Sequence, residues 1–210
     1  LTPETHAWWY GTAQSVTCAA CRPAGAVRLL ADDPQTATDV AEAGGGGIRL
    51  ANRLDGDLDG IATVLHDRRV PLSRGNIDHL VVAPSGIWII DANHDDGTVV
   101  CRDVGGSRTN DDRLYVGNRD QSNLVSAMAR QADAVQLAIE PIGFGAVPIH
   151  RCLCFTNAEW RLFSEPFVVD DVWIGWVTAL VEAIRATPAL DPEAVTTLSH
   201  HLNTWFPMSY

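Results

Sequence analysis

Two apolar strands joined by a tight turn are the feature that most constrains the fold of this 210-residue chain. The runs 77–83 and 87–91 are rich in β-branched residues and are apolar on both faces. Between them, Pro84 presets a turn and Gly86 accepts a positive φ, so the two runs are expected to form a hairpin. Strands that are apolar on both faces belong in the middle of a sheet covered by helices. The hairpin therefore predicts an α/β domain with a central sheet.

The rest of the chain supplies helices and further strands. Periodicity and capping signals predict helices from Pro34 to the glycines 44–47, Ile48 to about Asp57, Asp120 to about Glu140, Val177 to Ala186 and Pro192 to about Trp205. Strands are predicted at 61–65, 148–155 and 172–176, outer strands at 98–102 and 114–116, and a solvated charged loop at 67–69. Residues 1–33 show no sustained period and are assigned to an N-terminal appendage, which leaves 34–210 as the α/β domain.

Composition limits the location and the partners of the chain. Its apolar runs are far shorter than the roughly 20 residues that span a bilayer, so no membrane segment is expected. Neither a secretory signal nor a disulfide framework is evident, and Cys152 and Cys154 read as buried thiols, which indicates the cytoplasm. The net charge of -11 opposes non-specific attraction to nucleic acid and slightly favours a protein partner. A local basic rim could still form from four arginines, Arg68, Arg69, Arg74 and Arg119.

An aspartate stands at each open end of the predicted hairpin. If the loop consists of Pro84 and Ser85 alone, Asp78 and Asp91 face each other with Cβ atoms about 4.5–5.5 Å apart. A type I turn with Gly86 as a bulge would shift the register by one residue and place Asp91 on the other face. Two converging carboxylates favour a hard divalent cation, Mg²⁺ or Mn²⁺. Alternatively, each aspartate is held separately by loop amides or an arginine.

The residues from Arg74 to Val82 and from Pro84 to Ala92 resemble the nuclease-related NERD domain. This family is a branch of the PD-(D/E)XK restriction-endonuclease-like superfamily, and the resemblance extends over roughly residues 34–160. It implies a mixed central sheet flanked by helices and a metal-dependent phosphodiesterase site. By position, Asp78 and Asp91 match metal ligands, and Gln131 matches a glutamine that points into the site in related nucleases.

Two positions depart from the family pattern. The family carries a lysine two residues after the second acid, where it orients the attacking water and offsets developing negative charge. Asn93 stands here instead, and its amide can form hydrogen bonds but carries no positive charge. The family's helix acid falls on Gly47, which supplies no ligand. Glu42, just before the glycine run, could replace it only by a shift of the chain.

Other residues that could support chemistry give weaker signals. His79 and His94 lie near the two aspartates and could bind a metal or carry a proton, although such histidines are more often packed or solvated bystanders. Cys18 and Cys21 have zinc-ligand spacing, but no second pair follows them. Neither a Gly-x-Ser-x-Gly elbow nor a glycine-rich nucleotide loop after a strand is present, which sets aside serine hydrolases and nucleotide-binding folds.

Three functional hypotheses follow from these residues. In the leading one, the nuclease site is degenerate, and the domain acts as a nucleic-acid-binding or protein-interaction module. In the second, the domain is an active Mg²⁺-dependent nuclease, with Asp78 and Asp91 holding the metal, Asn93 positioning water and Gln131 completing the site. In the third, the protein has a purely structural role, and divalent cations do not affect its melting temperature.

Overall fold

The computed structural model describes residues 46–106, 111–186 and 188–209. The predicted first helix, the boundary between residues 33 and 34, Glu42 and the pair Cys18 and Cys21 lie outside these residues. In chain order, the helices and strands are α1 (Gly46–Asp57), β1 (Thr63–Arg69), β2 (Asn76–Ala83), β3 (Gly86–Asn93), β4 (Val99–Asp103), β5 (Asp112–Val116), β6 (Arg119–Asp120), α2 (Ser122–Ile139), β7 (Ile149–Phe155), β8 (Phe167–Val169), β9 (Val172–Gly175), α3 (Val177–Arg185) and α4 (Pro192–Trp205).

A six-stranded mixed sheet forms the centre of the domain, in the order β1-β2-β3-β7-β9-β8. β1, β2 and β3 are antiparallel neighbours, β3, β7 and β9 run parallel, and β8 is antiparallel to β9. Because β2 and β3 are buried on both faces, each face needs a helical layer. Apolar residues of α1 and α3 cover one face, and those of α2 and α4 cover the other. The predicted mixed α/β architecture is confirmed.

The β2–β3 hairpin has the two-residue loop predicted from its turn sequence. Ala83 pairs with Gly86, so Pro84 and Ser85 alone form the loop, and the one-residue shift of a bulge at Gly86 does not occur. Gly86 has a φ of 129°, and a Cβ atom there would lie 2.7 Å from the Pro148 carbonyl oxygen. The turn therefore requires glycine both for its backbone conformation and for the close approach of the chain before β7.

Two predictions about segments outside the hairpin need correction. The predicted outer strands at 98–102 and 114–116 do form, as β4 and β5, but they do not extend the central sheet, because β4, β5 and β6 form a separate three-stranded sheet. β4 and β5 each bury only part of their side chains, through Val99, Leu114 and Val116, and such strands suit a sheet with one solvated face.

The charged residues 67–69 belong to the edge strand β1 and do not form a loop. The C-terminal residues hold them there: the Arg69 amide donates to the Pro207 carbonyl at 2.9 Å, and the Ser209 amide donates to the Asp67 carbonyl at 2.7 Å. Because the two paired segments are far apart in the sequence, no local sequence pattern predicts that residues 67–69 form a strand. Among the described residues, no helix has both the length and the apolar character needed to cross a membrane.

Candidate functional site

The two aspartates predicted as metal ligands come together at the open end of the hairpin. His79 pairs with Ile90, and one step further along the same register brings Asp78 opposite Asp91. The two carboxyl groups lie within hydrogen-bonding reach of each other. Asp78 also accepts a hydrogen bond at Oδ2 from the Ala92 amide at 3.1 Å. Since both aspartates alternate with residues buried against α2, this acid pair, Asp78 and Asp91, lies on the α2 side of the sheet.

Burial and the neighbouring charge perturb one member of the acid pair. The pKa of Asp91 is raised from 3.8 to about 6, first by burial and then by the charge of Asp78. Asn93 partly opposes this shift, because its Nδ2 donates to Asp91 Oδ2 at 3.3 Å. At neutral pH the charges of Asp78 and Asp91 therefore repel each other, and the hydrogen bonds that offset this repulsion come from neutral amides, those of Asn76, Ala92 and Asn93. A cation would relieve that repulsion.

A pocket of about 300 Å³ opens beneath the first turn of α1, and one member of the acid pair, Asp78, lines it. Gly47 lines this pocket together with Asp78. A Cβ atom on Gly47 would meet nothing within 4 Å, so the position has room for a longer side chain. Gly47, the position predicted to correspond to the family's helix acid, thus borders the same space as Asp78.

Gln131 reaches the acid pair through Asn76. The Gln131 side chain projects from α2, and its Nε2 donates to the Asn76 carbonyl at 3.2 Å. Asn76 in turn donates from Nδ2 to Asp78 Oδ1 at 3.3 Å. The Gln131 Oε1 atom is buried and has no hydrogen-bond partner among the described residues. Gln131 therefore supports the strand that carries Asp78, with one acceptor left unsatisfied.

The histidines near the site have different surroundings. His79 packs on the α1 side of the sheet, where its Nδ1 lies 2.8 Å from His66 Nδ1. His66 continues the chain of contacts, with its Nε2 2.9 Å from Asp55 Oδ1. Burial and the neighbouring His66 lower the pKa of His79 to about 4, so it is neutral at pH 7. His94 lines the pocket and is hydrogen-bonded through Nδ1 to the Thr156 hydroxyl.

Sequence reasoning missed the contribution of β1 to this region. His66 and Asp67 line the same pocket as Gly47 and Asp78. His66 is the cross-strand partner of His79. A longer predicted β1 would have placed His66 beside the hairpin. The prediction stopped β1 at residue 65, so these two side chains were not considered as part of the site.

The donor set is suited to a hard cation but is incomplete. Asp78 and Asp91 offer the carboxylate oxygens that Mg²⁺ and Mn²⁺ prefer. Within the described ranges, no group of three or more His, Cys, Asp or Glu side chains is arranged to hold a metal. These two aspartates are therefore the carboxylates that could hold a cation here, and further ligands would have to be backbone or side-chain amide oxygens, water or a substrate phosphate.

Comparison with known proteins gives one match. A family model described as the nuclease-related domain, NERD, matches residues 45–156. The match covers just over half of the chain and includes α1, the acid pair and Gln131. No curated protein and no solved structure matches the chain.

Proposed function

Because the chain belongs to the nuclease-related NERD domain family of the restriction-endonuclease-like superfamily, we propose that it is a nucleic-acid-binding domain with impaired phosphodiesterase chemistry. In this proposal the acid pair retains a divalent-cation site, while two groups needed for efficient cleavage are absent. The domain would bind a polynucleotide and cleave it weakly or not at all.

The main observation in support of the proposal is the missing side chain at Gly47. It borders the pocket beside Asp78, and the space around its α-carbon is open. An acid at this position would supply a third carboxylate to a cation held by the acid pair. Glycine leaves that part of the site without a side chain, so the cation would be held more weakly and positioned less rigidly.

Asn93 is the second reason to expect weak cleavage. A cation bound by Asp78 and Asp91 would supply Lewis-acid polarisation of a phosphoryl oxygen. Efficient cleavage also needs positive charge near the phosphate as negative charge develops. The Asn93 amide lies 3.3 Å from Asp91 Oδ2 and can orient a water or a phosphate oxygen, but it is neutral. The developing charge would therefore be stabilised less than it is by a lysine.

The rival proposal is an active Mg²⁺-dependent nuclease, and the contact between Asn93 and Asp91 favours it. An amide already held beside the metal ligand could position the attacking water, with a substrate phosphate completing the ligand shell. A protein-interaction role is the other alternative, and the net charge of -11 supports it. The active nuclease differs from our proposal in a cleavage assay, and the protein-interaction role differs from it in a nucleic-acid-binding assay.

A cleavage assay separates the impaired-site proposal from the active nuclease. The wild-type protein and an Asp91→Ala variant are incubated with single- and double-stranded DNA and RNA in Mg²⁺ or Mn²⁺. We expect the wild-type cleavage rate to exceed that of the variant by no more than about tenfold. The reason is that the wild type already lacks two groups, and one missing electrostatic group typically lowers a rate by about 10²–10³. The measurement is the initial rate of fragment formation on end-labelled substrates. Rapid wild-type cleavage that Asp91→Ala abolishes would overturn the impaired-site proposal in favour of the active nuclease.

A further inference from the structure

A second pocket, of about 450 Å³, lies between the β1–β2 loop and the C-terminal residues of the domain. Its lining residues include Arg69 and Arg74 and contain neither aspartate nor glutamate. In a chain with a net charge of -11, two arginines without an acidic neighbour in one pocket form a local site for an anion. We call this feature the arginine pocket.

The guanidinium groups of the arginine pocket are available to a ligand. Neither Arg69 nor Arg74 forms an ion pair within the part of the chain that the structure describes. The other two arginines of the predicted basic rim are engaged elsewhere: Arg119 pairs with Asp95 at 3.1 Å, and Arg68 is buried. The predicted rim of four arginines is therefore reduced to these two.

Backbone pairing fixes the walls of the arginine pocket. The Arg69 amide donates to the Pro207 carbonyl at 2.9 Å, which holds the C-terminal segment against β1. The loop closes on itself through the Val70 amide, which donates to the Gly75 carbonyl at 3.1 Å. A site whose backbone is already ordered loses less conformational entropy when a ligand binds. The arginines thus project from a preformed frame.

Asn76 connects the arginine pocket to the acid pair. It lines the pocket, and its side-chain amide donates to Asp78 Oδ1 at 3.3 Å. Two residues along a strand span about 6.8 Å, so Asn76 and Asp78 are close together on β2. A polynucleotide with one phosphate at the acid pair would therefore place one of the next phosphates along its backbone beside Arg69 and Arg74.

We propose that the arginine pocket binds a backbone phosphate of a polynucleotide whose neighbouring nucleotides reach the acid pair. Arg69 and Arg74 are the cationic ligands of this phosphate, and guanidinium groups suit phosphate because they donate two parallel hydrogen bonds. This inference rests on the proposed function, since it assigns a position to one backbone phosphate of the polynucleotide that the domain binds. A free phosphate ion has the same chemistry, and the test separates the two sources.

The test measures binding of fluorescein-labelled single-stranded DNA and RNA 12-mers by fluorescence anisotropy in EDTA. The wild type is compared with Arg74→Gln, Arg69→Gln/Arg74→Gln and the control Arg53→Gln/Arg113→Gln. The control removes the same charge from arginines already paired with Asp57 and with Asp111 and Asp120. We expect the Arg69→Gln/Arg74→Gln variant to bind the 12-mers at least about tenfold more weakly at low salt than the wild type. The slope of log affinity against log salt concentration should fall by about 1.4 for this variant and by about 0.7 for Arg74→Gln. The control should bind like the wild type.

Three results would overturn the inference: no binding by the wild type, equal binding by the Arg69→Gln/Arg74→Gln variant and its control, or equal binding of an uncharged methylphosphonate 12-mer. In the first of these cases, binding of inorganic phosphate by the wild type would identify the pocket as a free-phosphate site. Because EDTA removes divalent cations, these outcomes do not depend on the acid pair. Failure of the cation site in the proposed function would instead leave 12-mer binding intact.

Discussion

Combining Gly47→Glu with Asn93→Lys is expected to raise cation-dependent phosphodiester cleavage by about 100-fold or more over the wild type. The first change places a carboxylate in the open space beside Asp78, where a Cβ atom meets nothing within 4 Å. The second places a positive charge where the Asn93 amide now contacts Asp91. One restored group improves the cation ligands and the other stabilises charge in the transition state. The rate of fragment formation in Mg²⁺ or Mn²⁺ measures the gain.

A matched double variant separates rescue from a general change in charge. Gly56→Glu with Asn123→Lys makes the same two charge changes at exposed helical positions, and Gly56 also has open space around its α-carbon. We expect this control to cleave like the wild type. If the Gly47→Glu/Asn93→Lys variant folds, as judged by circular dichroism, but shows no gain, then Gly47 and Asn93 do not occupy the positions of the missing family groups.

The second prediction concerns the stability of the protein without a divalent cation. Asp91→Asn is expected to raise the free energy of unfolding at pH 7 by about 2 kcal/mol. The folded-state pKa of Asp91 is about 6, above the ordinary value of 3.8. Its contribution to stability is therefore fully present below about pH 4 and is lost as the pH rises through about 6. The neutral amide avoids that loss because it carries no charge that burial would desolvate or that Asp78 would repel.

In the wild type, the pH dependence of the unfolding free energy combines the contribution of Asp91 with an opposing contribution from His79. The folded-state pKa of His79 is lowered from 6.5 to about 4, so its contribution is present above pH 6.5 and is lost as the pH falls towards 4. We expect these two contributions largely to cancel in the wild type. The unfolding free energy of Asp91→Asn, measured with urea in EDTA, should therefore rise between pH 4 and 6.5 more steeply than that of the wild type.

Asp133→Asn, at an exposed position of α2, is the control for loss of one negative charge. It should leave the wild-type pH profile essentially unchanged, since surface substitutions usually shift stability by no more than about 0.5 kcal/mol. A fall in stability at pH 7 for Asp91→Asn would mean that the Asp91 carboxylate is stabilised by its neighbours. The electrostatic description of the acid pair would then be wrong.

The hairpin could be predicted from the sequence because its signals are local. Pro84 and Gly86 specify the turn, and the turn sets the register that brings Asp78 opposite Asp91. The last helix was equally predictable, since the Asp191 side chain caps it by accepting a hydrogen bond from the Ala194 amide at 2.8 Å. In both places neighbouring residues alone determine the backbone conformation.

The surroundings of the acid pair depend on contacts between distant segments, which the sequence does not display. Asp67 has a φ of 49° within β1, a conformation that is uncommon for aspartate, and its carbonyl is paired with Ser209. That pairing extends β1 and creates one wall of the arginine pocket. The pairing of β4 with β5 in a second sheet likewise depends on which apolar face can reach the core. The assignment of metal-ligand roles to Asp78 and Asp91 remains a prediction.

The most direct test of the central claim, that the acid pair is a divalent-cation site, is a Mn²⁺ titration followed by electron paramagnetic resonance. We predict that the wild-type protein binds one Mn²⁺ per chain and that Asp78→Asn and Asp91→Asn each weaken binding at least tenfold, because each removes one of two carboxylate ligands. Asp133→Asn should bind like the wild type. Equal Mn²⁺ binding by all four proteins, or no binding by the wild type, would contradict the claim.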